Sequence, residues 1–173
     1  MKNIVLTGLP GSGKSSVGKL LEKEFSGKLK PVDTDELIVR RAGVPITDIF
    51  EKHGESEFRR LENETVKGLA ENDGMIISTG GGTVVNPENM RLLKKKGLVF
   101  YLKTSVGEIM NRISSKSDRP LLNNTDKRKK LEELSAKRKC SYEAADFIID
   151  TNGKTPENTA KEIARVYYEN AKI

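Results

Sequence analysis

A chain of 173 residues, 35% hydrophobic and 32% charged, can bury one core and is expected to form a single domain over residues 1–173, because domains hold roughly 100 to 200 residues. No apolar run approaches the ~20 residues that span a bilayer, and the one cysteine, Cys140, excludes an intramolecular disulfide or a thiolate metal cage. Lys and Arg number 31 against 25 Asp and Glu, a net charge of +6, but the basic clusters lie on helical stretches with few aromatics interleaved for base stacking.

The charge therefore reads as solvated helix faces and a funnel for anionic small substrates, with neither nucleic acid nor membrane as a partner. The amino terminus leads into a strand pattern without a signal-peptide cleavage site, so the protein is expected in the cytoplasm. Cys140 is expected to be a half-buried small hydrophobe.

In chain order, Asn3–Thr7 is an apolar run suited to a buried parallel strand. A helical stripe of Val17, Leu20, Leu21 and Phe25 follows, closed by Gly27. Leu29–Asp33 reads as a second strand, with Pro31 favouring an outer position in the sheet. Helical patterns run from about Asp35 to Arg41 and from about Glu55 to Glu71, with a short helix near Thr47–Lys52 between them. Met75–Ser78 is a third strand, stopping at Thr79-Gly80-Gly81-Gly82.

Asn86-Pro87 supplies a cap and a proline at the first helical position, opening a helix to about Lys95. Gly97 ends it, and Leu98–Leu102 is a fourth strand. Ser105 and Glu108 have capping-box spacing for a helix to about Ser114. Ser115–Asn124 is polar, broken by Pro120, and fits a mobile lid. A helix from Asp126 to about Ala144, a fifth strand at Phe147–Asp150 and a last helix opened by Thr155-Pro156 complete the chain. Strands alternating with helices predict an α/β fold with a parallel sheet covered on both faces.

Three clusters carry chemistry. Gly8-Leu-Pro-Gly-Ser-Gly13-Lys14-Ser15 matches the Walker A pattern, between a strand and a helix as that motif requires. Its glycines let backbone N–H groups turn inward, the helix directs its positive end at phosphates, Lys14 reaches the outer phosphates and Ser15 suits Mg²⁺. Asp33-Thr34-Asp35 falls at the carboxyl edge of the second strand, where parallel sheets bind ligands. One carboxylate there can hold Mg²⁺ through water and the other can take a hydroxyl proton.

Arg59 and Glu62 are i, i+3 neighbours. They form either a surface ion pair or an oriented fork for a substrate carboxylate. Gly80, Gly81 and Gly82 allow close backbone approach to a ligand. Arg119 sits in the expected lid and Arg138 on the helix after it, where ordinary surface charge is the alternative.

The ordered set of Gly8–Ser16, Asp33-Thr-Asp35, Ile49-Phe-Glu with Gly54-Glu55, Phe58-Arg59 with Glu62, Thr79-Gly-Gly-Gly82, Arg119-Pro-Leu-Leu122 and Arg138 with Tyr142 resembles the shikimate kinase family over about residues 4–152. The resemblance implies a three-layer P-loop kinase fold with a parallel five-stranded sheet, helices on both faces, a substrate-binding region around 34–62 and a mobile lid around 114–125. It implies transfer of the γ-phosphoryl of ATP to the 3-hydroxyl of shikimate, with Mg²⁺, in the pathway to chorismate, by a protein expected to be a monomer.

The implied roles are as follows. Lys14, Asp35 and Arg119 are catalytic. Gly11, Ser12, Gly13, Lys14, Ser15, Ser16, Arg119 and Lys154 contact the nucleotide, and Ser15 with Asp33 serves the metal. Asp35, Arg59, Gly80, Gly81, Gly82 and Arg138 contact shikimate. Two features depart from the family: Lys-Cys-Ser stands between Arg138 and Tyr142, where Pro-Leu is frequent before the tyrosine, and Lys154 stands near the position of a frequent arginine. Rival readings are a gluconate or nucleotide kinase of the same fold and a catalytically silent ATP-binding regulator.

Overall fold

The computed structural model describes residues 1–114 and 124–171. The five strands among these residues are β1 (Asn3–Thr7), β2 (Lys30–Asp33), β3 (Met75–Ser78), β4 (Gly97–Lys103) and β5 (Phe147–Asp150). They form one sheet in the order β2-β3-β1-β4-β5, and every neighbouring pair is parallel. The order places β1 centrally, and its five residues are all buried, as expected of an apolar strand with helices over both faces. Pro31 is on β2, an edge strand, where its missing N–H leaves no gap in the ladder.

The helices are α1 (Lys14–Glu24), α2 (Thr34–Ala42), α3 (Ile46–Ala70), α4 (Pro87–Lys96), α5 (Val106–Ser114), α6 (Asn124–Glu143) and α7 (Pro156–Asn170). On one face of the sheet, Val17 and Leu21 of α1 and Phe25 at its C-terminal end pack with Ala160, Ile163 and Tyr167 of α7 against Ile4, Leu6 and Phe100. On the other face, residues of α3 to α6 pack against Val5, Ile77 and Val99, with Val66, Leu93, Ile109 and Tyr142 among them. A third, smaller core of Ile38, Ile49, Phe58 and Leu61 joins α2 to α3. The stripe seen in α1 is thus the core face of a real amphipathic helix.

The two helical segments expected on either side of residue 54 are both present within α3, separated by a kink at Gly54, whose φ of 80° and ψ of 175° are not helical. A positive φ suits glycine there because no Cβ meets the neighbouring carbonyl. Ser105 caps α5 by accepting from Glu108 N at 3.2 Å, but the reciprocal half of the expected box is absent. Ser105 N donates instead to Asn152 Oδ1 at 3.0 Å, and the Glu108 carboxylate is engaged by Arg112. Cys140 is exposed rather than half-buried, because α6 turns its apolar side inward through Leu131 and Tyr142, not through residue 140.

Residues 115–123, which hold most of the expected lid and Arg119, lie outside the described residues. Among the described residues no helix is long and apolar enough to cross a membrane.

Candidate active site

The loop after β1 folds on its own backbone, with Ser12 N donating to Leu9 O at 3.1 Å. Gly11 and Gly13 have φ of 82° and 96°, a region that favours glycine. Gly13 caps α1 without any side-chain bond, so the first amides of the helix stay open at its positive end, the arrangement that binds phosphate. Lys14 folds back over the loop and its Nζ donates to Gly8 O and Leu9 O, both at 2.9 Å. Burial of the ammonium group lowers its pKa to about 8, with Asp35 and Asp33 pulling upward and Arg138 adding to the depression. A desolvated lysine of this kind gains from a polyanion brought beside it.

The carboxyl ends of β2 and β3 are in register, with Asp33 opposite Ser78. Asp33 caps α2, its Oδ1 accepting from Asp35 N at 2.9 Å, while its Oδ2 accepts from Ser15 Oγ at 2.8 Å. One carboxylate therefore joins the start of α2 to the phosphate loop. Ser15 and Asp33 present adjacent hard oxygens, a donor set that fits Mg²⁺ when phosphate oxygens and water complete its shell. Among the described residues no group of three or more His, Cys, Asp or Glu forms a protein-only cage.

Asp35 stands beside this pair. Its Oδ1 is buried and has no hydrogen-bond partner among the described residues. Burial is the main cause of a raised pKa, with Asp33 and Glu62 adding to it and Lys14 and Arg59 opposing. A carboxylate in that environment is a stronger proton acceptor than a solvated one.

The three glycines after β3 run between these groups. A Cβ at Gly80 would lie 2.6 Å from Asp35 Oδ1, one at Gly81 would lie 3.2 Å from Arg138 Nη1 and 3.0 Å from Pro10 Cδ, and one at Gly82 would lie 2.8 Å from Arg59 Nη1. Side chains at these positions would fill the space in which Asp35 and both arginines converge, which explains three glycines where a turn needs one. Arg59, Glu62, Gly82, Leu134 and Arg138 help line a cleft of about 290 Å³.

The pair of Arg59 with Glu62 is not a surface one. Arg59 Nη1 donates to Glu62 Oε2 at 2.9 Å, and the Glu62 side chain is only 2% exposed. The Nε and Nη2 edge donates to Glu55 Oε1 at 3.2 and 3.1 Å.

A second cleft of about 340 Å³ lies at the other side of the phosphate loop, against Gly11, Ser12, Ser16, Arg112, Lys154 and Pro156. Arg112 escaped the sequence reading. Its Nη2 donates to Thr151 O at 2.6 Å and its Nη1 to Ser12 O at 3.3 Å, so it spans from the phosphate loop to the end of β5. The available signal was its i, i+4 spacing from Glu108, to which its Nε donates at 3.0 Å. That spacing alone does not separate a bridging arginine from a solvated pair. Lys154 lines the same cleft with its Nζ on Glu162 at 2.6 Å. Arg119 lies outside the described residues; Gly11, Ser12, Gly13, Ser16 and Lys154 line the second cleft and Arg59, Gly82 and Arg138 the first, while Asp33 bonds Ser15 of the phosphate loop and Gly80 and Gly81 lie against Asp35 and Arg138.

The sequence model of the family described as shikimate kinase matches residues 10–168. A shikimate kinase of Thermodesulfovibrio yellowstonii is 45% identical over 167 residues, covering 96% of this chain and 95% of that protein. Among solved structures, a shikimate kinase of Acinetobacter baumannii in complex with shikimate superposes with a TM-score of 0.87 at 33% identity, covering all of this chain and 96% of that one. A gluconokinase of Sinorhizobium meliloti superposes with a TM-score of 0.64 at 15% identity over 98% of this chain and 95% of that one, a likeness of fold alone.

Proposed function

This chain belongs to the shikimate kinase family, and we propose that it transfers the γ-phosphoryl group of ATP to the 3-hydroxyl of shikimate, giving shikimate 3-phosphate and ADP. The observation that carries the reading is the acceptor cleft. Two arginines, Arg59 and Arg138, meet the glycine loop at one side of Asp35, and Lys14 of the phosphate loop is close enough to Asp35 for their charges to interact. A single carboxylate with several hydroxyls matches that set, a nucleotide acceptor would instead call for a phosphate-binding cluster, and the family match favours shikimate over gluconate, which carries the same groups.

In this reading Gly11 to Ser16 hold the phosphates of ATP, and the nucleoside occupies the cleft of Arg112, Lys154 and Pro156. Arg59, Arg138 and the Gly80–Gly82 backbone hold shikimate, its carboxylate on the arginines. Asp35 orients the 3-hydroxyl. The hydroxyl oxygen forms the new bond to the γ-phosphorus, the bond from that phosphorus to the β,γ-bridging oxygen breaks, and the proton passes to Asp35. ADP leaves with the electron pair.

Phosphoryl transfer depends mainly on positioning and on positive charge near the transferring group. Lys14 supplies one charge, and Arg119, by the family resemblance, supplies another. Ser15 and Asp33 would hold Mg²⁺, which would supply positive charge to neutralise the phosphates. The substrate-binding region spans about 34–62 of one domain, and the protein acts as a cytoplasmic monomer.

A coupled ADP-release assay with shikimate, gluconate and nucleoside monophosphates tests the reading. Turnover is expected with shikimate and not with the others. Turnover with gluconate in preference to shikimate would replace the acceptor assignment.

A further inference from the structure

Each arginine of the acceptor cleft is tied to the glycine loop through a buried residue. On one side the intermediary is Glu62, whose Oε2 accepts from Arg59 and whose Oε1 accepts from Thr83 Oγ1 at 2.7 Å. Thr83 is fully buried and directly follows Gly82. Its own carbonyl accepts from Asn89 Nδ2 at 2.9 Å, and Asn89 Oδ1 accepts from Asn63 Nδ2 at 2.8 Å. The threonine hydroxyl is thereby held in one place by the helices beneath it.

On the other side the intermediary is Tyr142. Its ring is fully buried and stacks on Tyr101 with centroids 5.0 Å apart, and its hydroxyl donates to Gly81 O at 2.6 Å. Arg138, one helical turn earlier on α6, meets the same glycine, since a Cβ at Gly81 would lie 3.2 Å from its Nη1, and its charge opposes the upward push of burial on the phenol's pKa.

The two arginines come from α3 and α6, repel each other, and sit on long flexible stems. A carboxylate gripped by both needs their separation set in advance, because supporting groups that lock a binding side chain determine how well it meets its ligand. We infer that Thr83 and Tyr142 are positioning residues that set the spacing and orientation of Arg59 and Arg138 from the two ends of the glycine loop. The inference rests on the acceptor reading above, in which the arginines share one carboxylate.

The test uses the full chain, with Tyr142→Phe, which keeps the stacked ring, and Thr83→Val, which keeps the shape. Each is expected to raise the KM for shikimate roughly ten-fold, the size of one lost hydrogen bond, with the KM for ATP moving less than about two-fold. Thr83→Ser, which restores the hydroxyl, should return the shikimate KM to near the wild-type value. In an Arg138→Ala background Tyr142→Phe should add nothing, and in Arg59→Ala the same holds for Thr83→Val.

An unchanged shikimate KM, an equal rise in both KM values, or full effects in the arginine-less backgrounds would overturn the inference. Tyr142→Phe decides alone should Thr83→Val not fold. Failure of the acceptor reading is distinguishable, since the wild type itself would then release no ADP in response to shikimate.

Discussion

Gly80 and Asp35 are in such close approach that a methyl group on the glycine would lie 2.6 Å from the carboxylate Oδ1 and 3.2 Å from Thr83 Oγ1. Gly80 N also donates to Thr34 Oγ1 at 2.8 Å, so the backbone cannot easily withdraw and the carboxylate must move. Gly80→Ala is expected to lower kcat with shikimate by roughly 10²-fold, the cost of misplacing a reacting group by about an ångström. Nucleotide binding, measured by calorimetry, should be preserved. Wild-type turnover would show that Asp35 has no need of its present position.

Asp35→Asn separates activity from stability. The folded environment raises the Asp35 pKa, mainly by burial. The folded protein therefore binds this proton more tightly than the unfolded chain, and the ionised group subtracts stability once the pH exceeds both values. The amide removes that penalty, so Tm at neutral pH should rise while kcat falls by about 10² to 10⁴-fold. A lower Tm with normal kcat would contradict both halves.

Lys14 makes nucleotide binding a proton-linked event. With its pKa lowered from 10.5 to about 8 by burial, the lysine loses its proton in the folded chain before it does so unfolded, and its contribution to stability rises with pH across that window. Phosphates restore the charge, so ATP binding should take up protons, increasingly between about pH 7 and 9. Calorimetric titrations in buffers of different ionisation enthalpy measure this directly. No buffer dependence at the upper end would mean that the lysine is already charged in the free protein. Lys14→Ala should fold and lack detectable turnover.

Removing Arg59 or Arg138 should raise the KM for shikimate roughly ten- to hundred-fold, the worth of a charge-assisted hydrogen bond at about 1.5 to 3 kcal/mol. The KM for ATP should move much less. Shikimate methyl ester, which keeps the hydroxyls and lacks the charge, should be a poor substrate and suffer little further from Arg59→Ala. If the ester is phosphorylated as well as shikimate, an uncharged polyol becomes the better acceptor.

For Arg112 the expected split is the reverse. The guanidinium joins Ser12 O to Thr151 O at the nucleotide cleft, so Arg112→Ala should raise the KM for ATP about ten-fold or more, as expected for lost hydrogen bonds from a charged donor. The shikimate KM should change little. A rise confined to shikimate would place the arginine's influence on the wrong cleft.

The phosphate loop was legible in the sequence because its function is local. Contiguous glycines, a lysine and a serine between a strand and a helix define the backbone curl and the open helix end without help from distant residues. The strand and helix alternation, the edge position implied by Pro31 and the paired acids Asp33 and Asp35 were readable for the same reason, since each rests on neighbours within a few positions.

What required the tertiary structure was the set of long-range ties. Arg112 reaches a carbonyl 100 residues away and Tyr142 one 61 residues away. In the sequence the first is an arginine four residues after a glutamate, and the second is known only as the tyrosine that follows Arg138 in the ordered set. The burial of Glu62, the exposure of Cys140 and the hydroxyl of Thr83 under the arginine cleft were likewise invisible in spacing alone. Hydrophobic periodicity states which face of a helix is covered, and only the packing of the sheet order β2-β3-β1-β4-β5 decides which other residues do the covering.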